Sequence, residues 1–162
     1  MFWIGRAGPS VDDDRLVIRD FAAADQQAVR ALVLAGLRER WGDAYDPTFN
    51  PDLDDITAAY LDQGAEVIVA ELDRSIVACG MVVVRSDGRG QVRRVSVDEG
   101  RRREGLGRSI VVELVARARQ RGMTELIVRA DTPWTSALEL YRSCGFDEVG
   151  RDDVDTHFSL LL

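Results

Sequence analysis

The chain has 162 residues, 46% hydrophobic and 30% charged, with a formal net charge of −7; this is one domain's length with enough apolar material for a core. No apolar run reaches the roughly 18 residues of a membrane span, and a negative net charge argues against sequence-independent nucleic-acid binding. All 21 basic residues are arginine, which excludes a Walker A phosphate loop and a pyridoxal-phosphate Schiff base, since both need lysine.

The N-terminal MFWIGRAGPS lacks a basic region leading into an apolar stretch, so it does not read as a signal peptide. With three aspartates behind it, residues 1–14 are predicted to be a flexible arm, and a cytoplasmic location is expected. Residues 15–20 read as a short strand. Residues 22–40 follow with Val29, Leu32, Val33, Leu37 and Trp41 at helical spacing. Asp52 is predicted to cap a second helix ending near Gly64. Residues 66–72 and 76–85 are apolar strands joined by a hairpin turn at Asp73-Arg74-Ser75. A turn cluster at 86–90 leads into a strand over 91–97, where Val95 and Val97 share one face.

Leu106, Ile110, Leu114 and Ala118 then recur at steps of four along a helix stopped by Gly122. Residues 124–130 form a strongly apolar strand. A helix is predicted from Thr132-Pro133 to Cys144-Gly145, followed by strands near 146–150 and 157–161. The whole reads as one α/β (α+β) domain over residues 15–162. Cys79 and Cys144 lack metal-ligand spacing, so two reduced thiols and no metal are expected. Charge is uneven: residues 12–74 carry 15 acids and 6 bases, whereas 89–121 carry 10 arginines and 4 acids. A bipolar protein, with a phosphate-bearing ligand on one side and a cationic one on the other, would account for this; so would solvated helix faces.

The densest signal is Arg102-Arg103-Glu104-Gly105-Leu106-Gly107, between a strand and a helix. Orphan amides and the dipole of a helix N-terminus favour anions there. A dinucleotide fingerprint fails, because Ile110 occupies the place of its third glycine. A plain tight turn and a pyrophosphate cradle fed by Arg101, Arg102 and Arg103 both remain.

Arg102-x-x-Gly105-x-Gly107 resembles the Arg/Gln-x-x-Gly-x-Gly/Ala motif of the GNAT superfamily of N-acetyltransferases. Ala137-x-x-x-Tyr141-x-x-x-Gly145-Phe146 is similar to that family's C-terminal signature, and the order of elements matches its fold over roughly residues 15–161. The resemblance implies a central mixed, twisted sheet flanked by helices, with strand 91–97 splaying from strand 124–130 to admit the pantetheine arm of acetyl-CoA. It implies that backbone amides of Val95, Ser96 and Val97 pair with pantetheine and polarise the thioester carbonyl. The loop Arg102, Arg103, Glu104, Gly105, Leu106, Gly107, Arg108 and Ser109 would hold the pyrophosphate, and Tyr141 would protonate the departing thiolate. Homodimers are common among similar proteins.

The chain departs from the family pattern at four places. Arg103 replaces a frequent glycine, Glu104 a small or basic residue, and Trp134 a frequent asparagine. Gln91 stands where many members carry a glutamate base, and a glutamine cannot take a proton. Replacement bases are Asp131, Glu71, Asp73 and His157, or a water chain to bulk. For the acceptor, Trp41, Tyr45, Phe49 and Tyr60 lie among many carboxylates, a mixture suited to an organic cation, although core and solvated-face readings also fit. The expected activity is acetyl transfer from acetyl-CoA to a primary amine of a small molecule or peptide by direct attack. The alternative is an acyl-CoA-binding sensor without turnover.

Overall fold

The structure, a computed structural model, describes residues 15–162; the arm predicted for residues 1–14 lies outside the described residues. In chain order the elements are β1 (Leu16–Asp20), α1 (Gln26–Trp41), α2 (Ile56–Ala59), β2 (Glu66–Leu72), β3 (Ser75–Val84), β4 (Gly90–Val97), α3 (Leu106–Gln120), β5 (Glu125–Asp131), α4 (Thr135–Ser143), β6 (Asp147–Arg151) and β7 (Asp155–Leu161). This is the predicted order. The strands form one mixed sheet, β1-β2-β3-β4-β5-β7-β6, in which only β4 and β5 run parallel.

Helices cover the sheet on both faces because its central strands are apolar on both. In β2, Val67 and Val69 point to one side, and Ile68 and Ala70 to the other. On the first side they meet Val29, Val33, Leu53, Ile56 and Tyr60 from α1 and the segment around α2. On the second, Ile110, Val111 and Leu114 of α3 and Leu138 of α4 pack against Val92, Leu126, Val128 and Phe158. Ile110, Leu114 and Leu126 are fully buried, each worth about 1.5–3 kcal/mol relative to exposure. The hairpin between β2 and β3 turns through Asp73 and Arg74, both left-handed, with Leu72 paired to Ser75.

Two predicted boundaries are corrected. The single helix from Asp52 to Gly64 is instead a chain of short turns: 3-10 turns Pro47–Phe49, Pro51–Leu53 and Leu61–Gln63 around the four-residue α2. The two prolines each open a turn. The cap of α2 is Asp55, whose carboxylate accepts from the Ala58 amide at 2.9 Å. Near the other end, α4 starts three residues late. Thr132 is held by the loop between β6 and β7, its amide donating to the Val154 carbonyl and its hydroxyl to that of Asp152, both at 2.8 Å.

Two irregularities shape the middle of the sheet. Opposite β3, the register moves from Cys79↔Ser96 to Met81↔Arg93, so β4 holds one extra residue there. Arg94 occupies that bulge with φ 55°. The extra residue lets Val92, Val95 and Val97 all pack toward α3, which strict alternation forbids. Beside it, β4 and β5 pair only at Gly90↔Leu126 and Gln91↔Ile127. Beyond Gln91 the two strands part.

Candidate active site

The parting strands open a cavity of about 860 Å³, within the size range of small-molecule sites. One wall is the β4 edge from Gln91 to Val97, another is β5 from Val128 to Asp131. On the β5 side that β4 edge has no strand partner past Gln91, so alternate peptide groups point into the gap. Val95, Ser96 and Val97 all line it. The N-terminus of α3, one face of α4, and Val33, Gly36, Leu37 and Arg40 of α1 complete the enclosure.

At the α3 end, two left-handed residues, Arg103 (φ 64°) and Gly105 (φ 81°), turn the loop into the helix. Gly105 serves as N-cap without a side chain. The first helical bond is Ser109 amide to Gly105 carbonyl at 3.0 Å, which leaves the amides of Leu106, Gly107 and Arg108 without a helical partner. These amides and the helix dipole make an anion cradle. Arginines gather round it. Arg101 pairs with Glu104 at 3.8 Å, so the unfavourable carboxylate of Glu104 turns to a neighbouring cation. Arg102 is ion-paired with Glu39 of α1, Arg108 donates to the Ser143 carbonyl, and Arg103 has no ion pair among the described residues.

Tyr141, on α4, is 6% exposed and packs edge-on against Phe146, with Phe158 tilted beyond. Its ring belongs to the core, yet the residue lines the cavity, and its hydroxyl makes no hydrogen bond among the described residues. Burial pushes the phenol well above the usual tyrosine range. It is therefore a protonated donor facing a gap.

The candidate bases are not brought together. Asp131 lines the cavity, but its carboxylate accepts from Arg40 at 2.8 Å, and that guanidinium stacks 3.7 Å from the Trp134 ring centroid. His157 is exposed on β7, opposite Arg129, and does not line the cavity. Glu71 is bound by Arg19 at 2.6 Å and Asp73 pairs with Arg15 at 3.5 Å; neither reaches the gap. The Gln91 amide oxygen accepts from Arg85 at 3.2 Å.

The acids expected to attract a cation are largely engaged within the fold. Asp46 accepts from the Thr48 amide, Asp54 pairs with Arg30, and Asp52 binds Arg94. Tyr60 is buried rather than presented, while Trp41 and Phe49 are exposed. Sequence reasoning missed several polar groups that line the cavity, Arg40 and Arg94 among them. A signal for Arg94 existed: consecutive arginines in an otherwise alternating strand mark a break in phase. Nothing comparable singled out Arg40 among the charges of α1.

No helix among the described residues is long and apolar enough to cross a membrane, and they hold no cluster of three or more metal-ligating side chains. The sequence pattern of the acetyltransferase (GNAT) family matches residues 27–146. N-acetyltransferase 8 of Homo sapiens is 32% identical over 122 residues, covering 70% of this chain and 53% of that protein; the chain thus spans about half the length of the first curated relatives it matches. An acetyltransferase of the GNAT family from Staphylococcus aureus Mu50 superposes with a TM-score of 0.80 at 17% identity, over 89% of this chain and 97% of that one. PaiA N-acetyltransferase from Thermoplasma acidophilum, solved in complex with coenzyme A, gives 0.78 at 10% identity, over 91% and 99%. At these identities the likeness is one of fold. Sequence match and fold agree, and the chain belongs to the GNAT acetyltransferase family, whose pattern it carries from α1 to Phe146.

Proposed function

We propose that the chain transfers an acetyl group from acetyl-CoA to a primary amine of a small molecule or peptide. One juxtaposition carries the reading: the unpartnered amides at the head of α3 and the protonated hydroxyl of Tyr141 open onto the same gap between β4 and β5. The residues fit the donor. Its pyrophosphate meets the amides of Leu106, Gly107 and Arg108, with arginines in reach for charge-assisted bonds. Its pantetheine arm lies along the free edge of β4 in place of a missing strand, which satisfies peptide groups that would otherwise need water.

In the reaction the amine nitrogen attacks the thioester carbonyl carbon. Amides of the Val95–Val97 stretch hold the developing oxyanion. As the carbon–sulfur bond breaks, the thiolate takes a proton from Tyr141, and the proton lost by the amine returns through water to the Tyr141 phenolate. Asp131, tied to Arg40, and His157, outside the cavity, are not needed for that transfer. Alignment of the two substrates supplies much of the rate.

Calorimetric titration with acetyl-CoA, followed by release of free thiol in the presence of amines, tests the reading. Gly105→Pro, which cannot adopt the left-handed cap, is expected to weaken acetyl-CoA binding at least about tenfold. Tyr141→Phe is expected to bind normally while kcat falls about 10²-fold. Absence of binding at millimolar acetyl-CoA would overturn the proposal. Binding without thiol release from any amine would identify an acyl-CoA sensor instead.

A further inference from the structure

We infer that Arg94 and Asp52 are positioning residues for acetyl transfer: their ion pair holds the bulge of β4, and with it the amides of Val95–Val97, against the turn at Pro51–Leu53. The inference rests on the function proposed above. Arg94 is a non-glycine residue at φ 55°, a conformation a side chain adopts only when its surroundings impose it. Those surroundings are specific. The guanidinium reaches Asp52 Oδ1 at 2.9 Å and Oδ2 at 2.8 Å from one nitrogen, and Oδ2 again at 3.1 Å from Nε. The same Nη2 donates to Asn50 Oδ1 at 2.8 Å, and the Tyr60 hydroxyl donates to the same carboxylate.

The cluster is shielded, with the Arg94 side chain only 14% exposed and that of Asp52 25%, so water competes poorly for it. Arg94 nonetheless lines the gap. Its backbone is also held from behind, because the Cys79 thiol, fully buried in β3, donates to the Arg94 carbonyl at 3.4 Å. The bulge is thereby fixed from two sides: through its carbonyl by Cys79 of β3, and through its side chain by Asn50 and Asp52.

The consequence concerns the next three residues. The bulge sets the phase of β4 beyond it, so the direction of the Val95, Ser96 and Val97 peptide groups depends on Arg94 keeping its left-handed conformation. Asp52 touches neither donor nor thioester on this reading; it acts through Arg94. The ionic arrangement also couples the 50–60 segment, which lies outside the cavity lining, to the strand that receives the carbonyl.

The test separates anchoring from general stability. In Asp52→Asn the shape persists and the charge is lost; in Arg94→Gly the left-handed conformation is allowed and the anchor is gone. Both variants are expected to lower kcat by about 10- to 100-fold, the scale of a small misplacement of reacting groups. The Kd for acetyl-CoA, held chiefly by the α3 amides, is expected to rise by no more than about threefold as the pantetheine contacts along β4 loosen. Arg94→Lys, which restores a point charge without the fork, is expected to recover part of kcat. The amide resonances of Val95, Ser96 and Val97 in an ¹H–¹⁵N spectrum should shift in Asp52→Asn while those of Leu106–Arg108 stay in place. Wild-type kcat and unshifted Val95–Val97 amides in Asp52→Asn would overturn the inference, as would a parallel loss of kcat, acetyl-CoA affinity and thermal stability. If the wild-type chain transfers no acetyl group to any amine, the proposed function fails, and the amide shifts alone decide whether the pair holds the bulge.

Discussion

Gly90 sits where β4 and β5 begin to part, and it has no room for a side chain. A Cβ there would lie 2.5 Å from Leu126 Cδ2, 2.8 Å from Met123 Sδ and 2.9 Å from Val82 Cγ1. Leu126 and Val82 are fully buried, so neither swings aside freely. Gly90→Ala is therefore expected to destabilise the fold by about 1–3 kcal/mol, read as a lowered urea midpoint at unchanged m-value. An unchanged midpoint would show that this part of the core yields. Tyr141 carries a second prediction at the same scale. Because burial raises its folded pKa, the phenol stays protonated through and beyond the ordinary tyrosine value of about 10. Its ionisation then contributes no fall in kcat between about pH 7 and about pH 10, and Tyr141→Phe lowers the plateau without removing a basic limb. A basic limb near about pH 8 that disappears in Tyr141→Phe would contradict this assignment. Two residues that escaped sequence reading, Arg40 and Arg94, share one property: their partners lie 91 and 42 positions away, where no local pattern can announce them.

At the scale of elements, β1 and the entry to α1 are joined by a small ionic cluster. Arg19 donates to Asp25 at 2.7 and 3.0 Å and to Glu71 of β2 at 2.6 and 2.9 Å, while Asp25 also accepts from the Ala22 amide at 2.8 Å. The hydrogen bonds from Arg19 are the main cause that holds the Asp25 carboxyl below its usual range. Asp25→Asn is expected to cost about 1–3 kcal/mol at neutral pH. In the unfolded chain Asp25 takes its proton near about pH 4, in the folded chain only at lower pH. Its contribution is therefore full above about pH 4 and drains away as pH falls through the folded value. Urea titrations should show the gap between wild type and Asp25→Asn narrowing from about pH 5 to about pH 2; a gap independent of pH would assign the effect to shape rather than charge. Elements with a single strong period, such as α3 with its apolar residues four apart, were legible from sequence nearly to the residue. The 42–64 segment was not, because its prolines each open a turn and its aspartates Asp46 and Asp55 each cap one, which no helical period registers.

Across the whole molecule, the acidic and basic stretches of the sequence fold against each other rather than facing separate ligands. Glu39 meets Arg102, Asp52 meets Arg94, and Glu66 meets both Arg117 and Arg121, so the two-sided charge distribution is largely consumed by contacts between the first half of the chain and the α3 region. What stays unbalanced lies in the cavity, where three lining arginines, Arg93, Arg103 and Arg108, have no ion pair among the described residues, against one such acid, Glu139, in a chain of net charge −7. A concave cationic surface on an anionic molecule focuses field lines into the gap. On the function proposed above, it draws in the polyphosphate donor while the remaining surface repels it. Binding of acetyl-CoA is therefore expected to weaken about tenfold as ionic strength rises from about 0.05 to about 0.5 M, where the Debye length shrinks to a few ångströms. Stopped-flow measurements should place most of that change in the association rate, because steering acts before contact. Arg103→Gln tests the source of the field. Its guanidinium has no ion pair among the described residues, and the residue is exposed and lines the cavity, so the variant should bind more slowly and show a shallower salt dependence, with kcat at saturating acetyl-CoA unchanged. Equal salt slopes for wild type and Arg103→Gln would assign the attraction to the backbone amides of α3, whose partial charges no side-chain substitution removes.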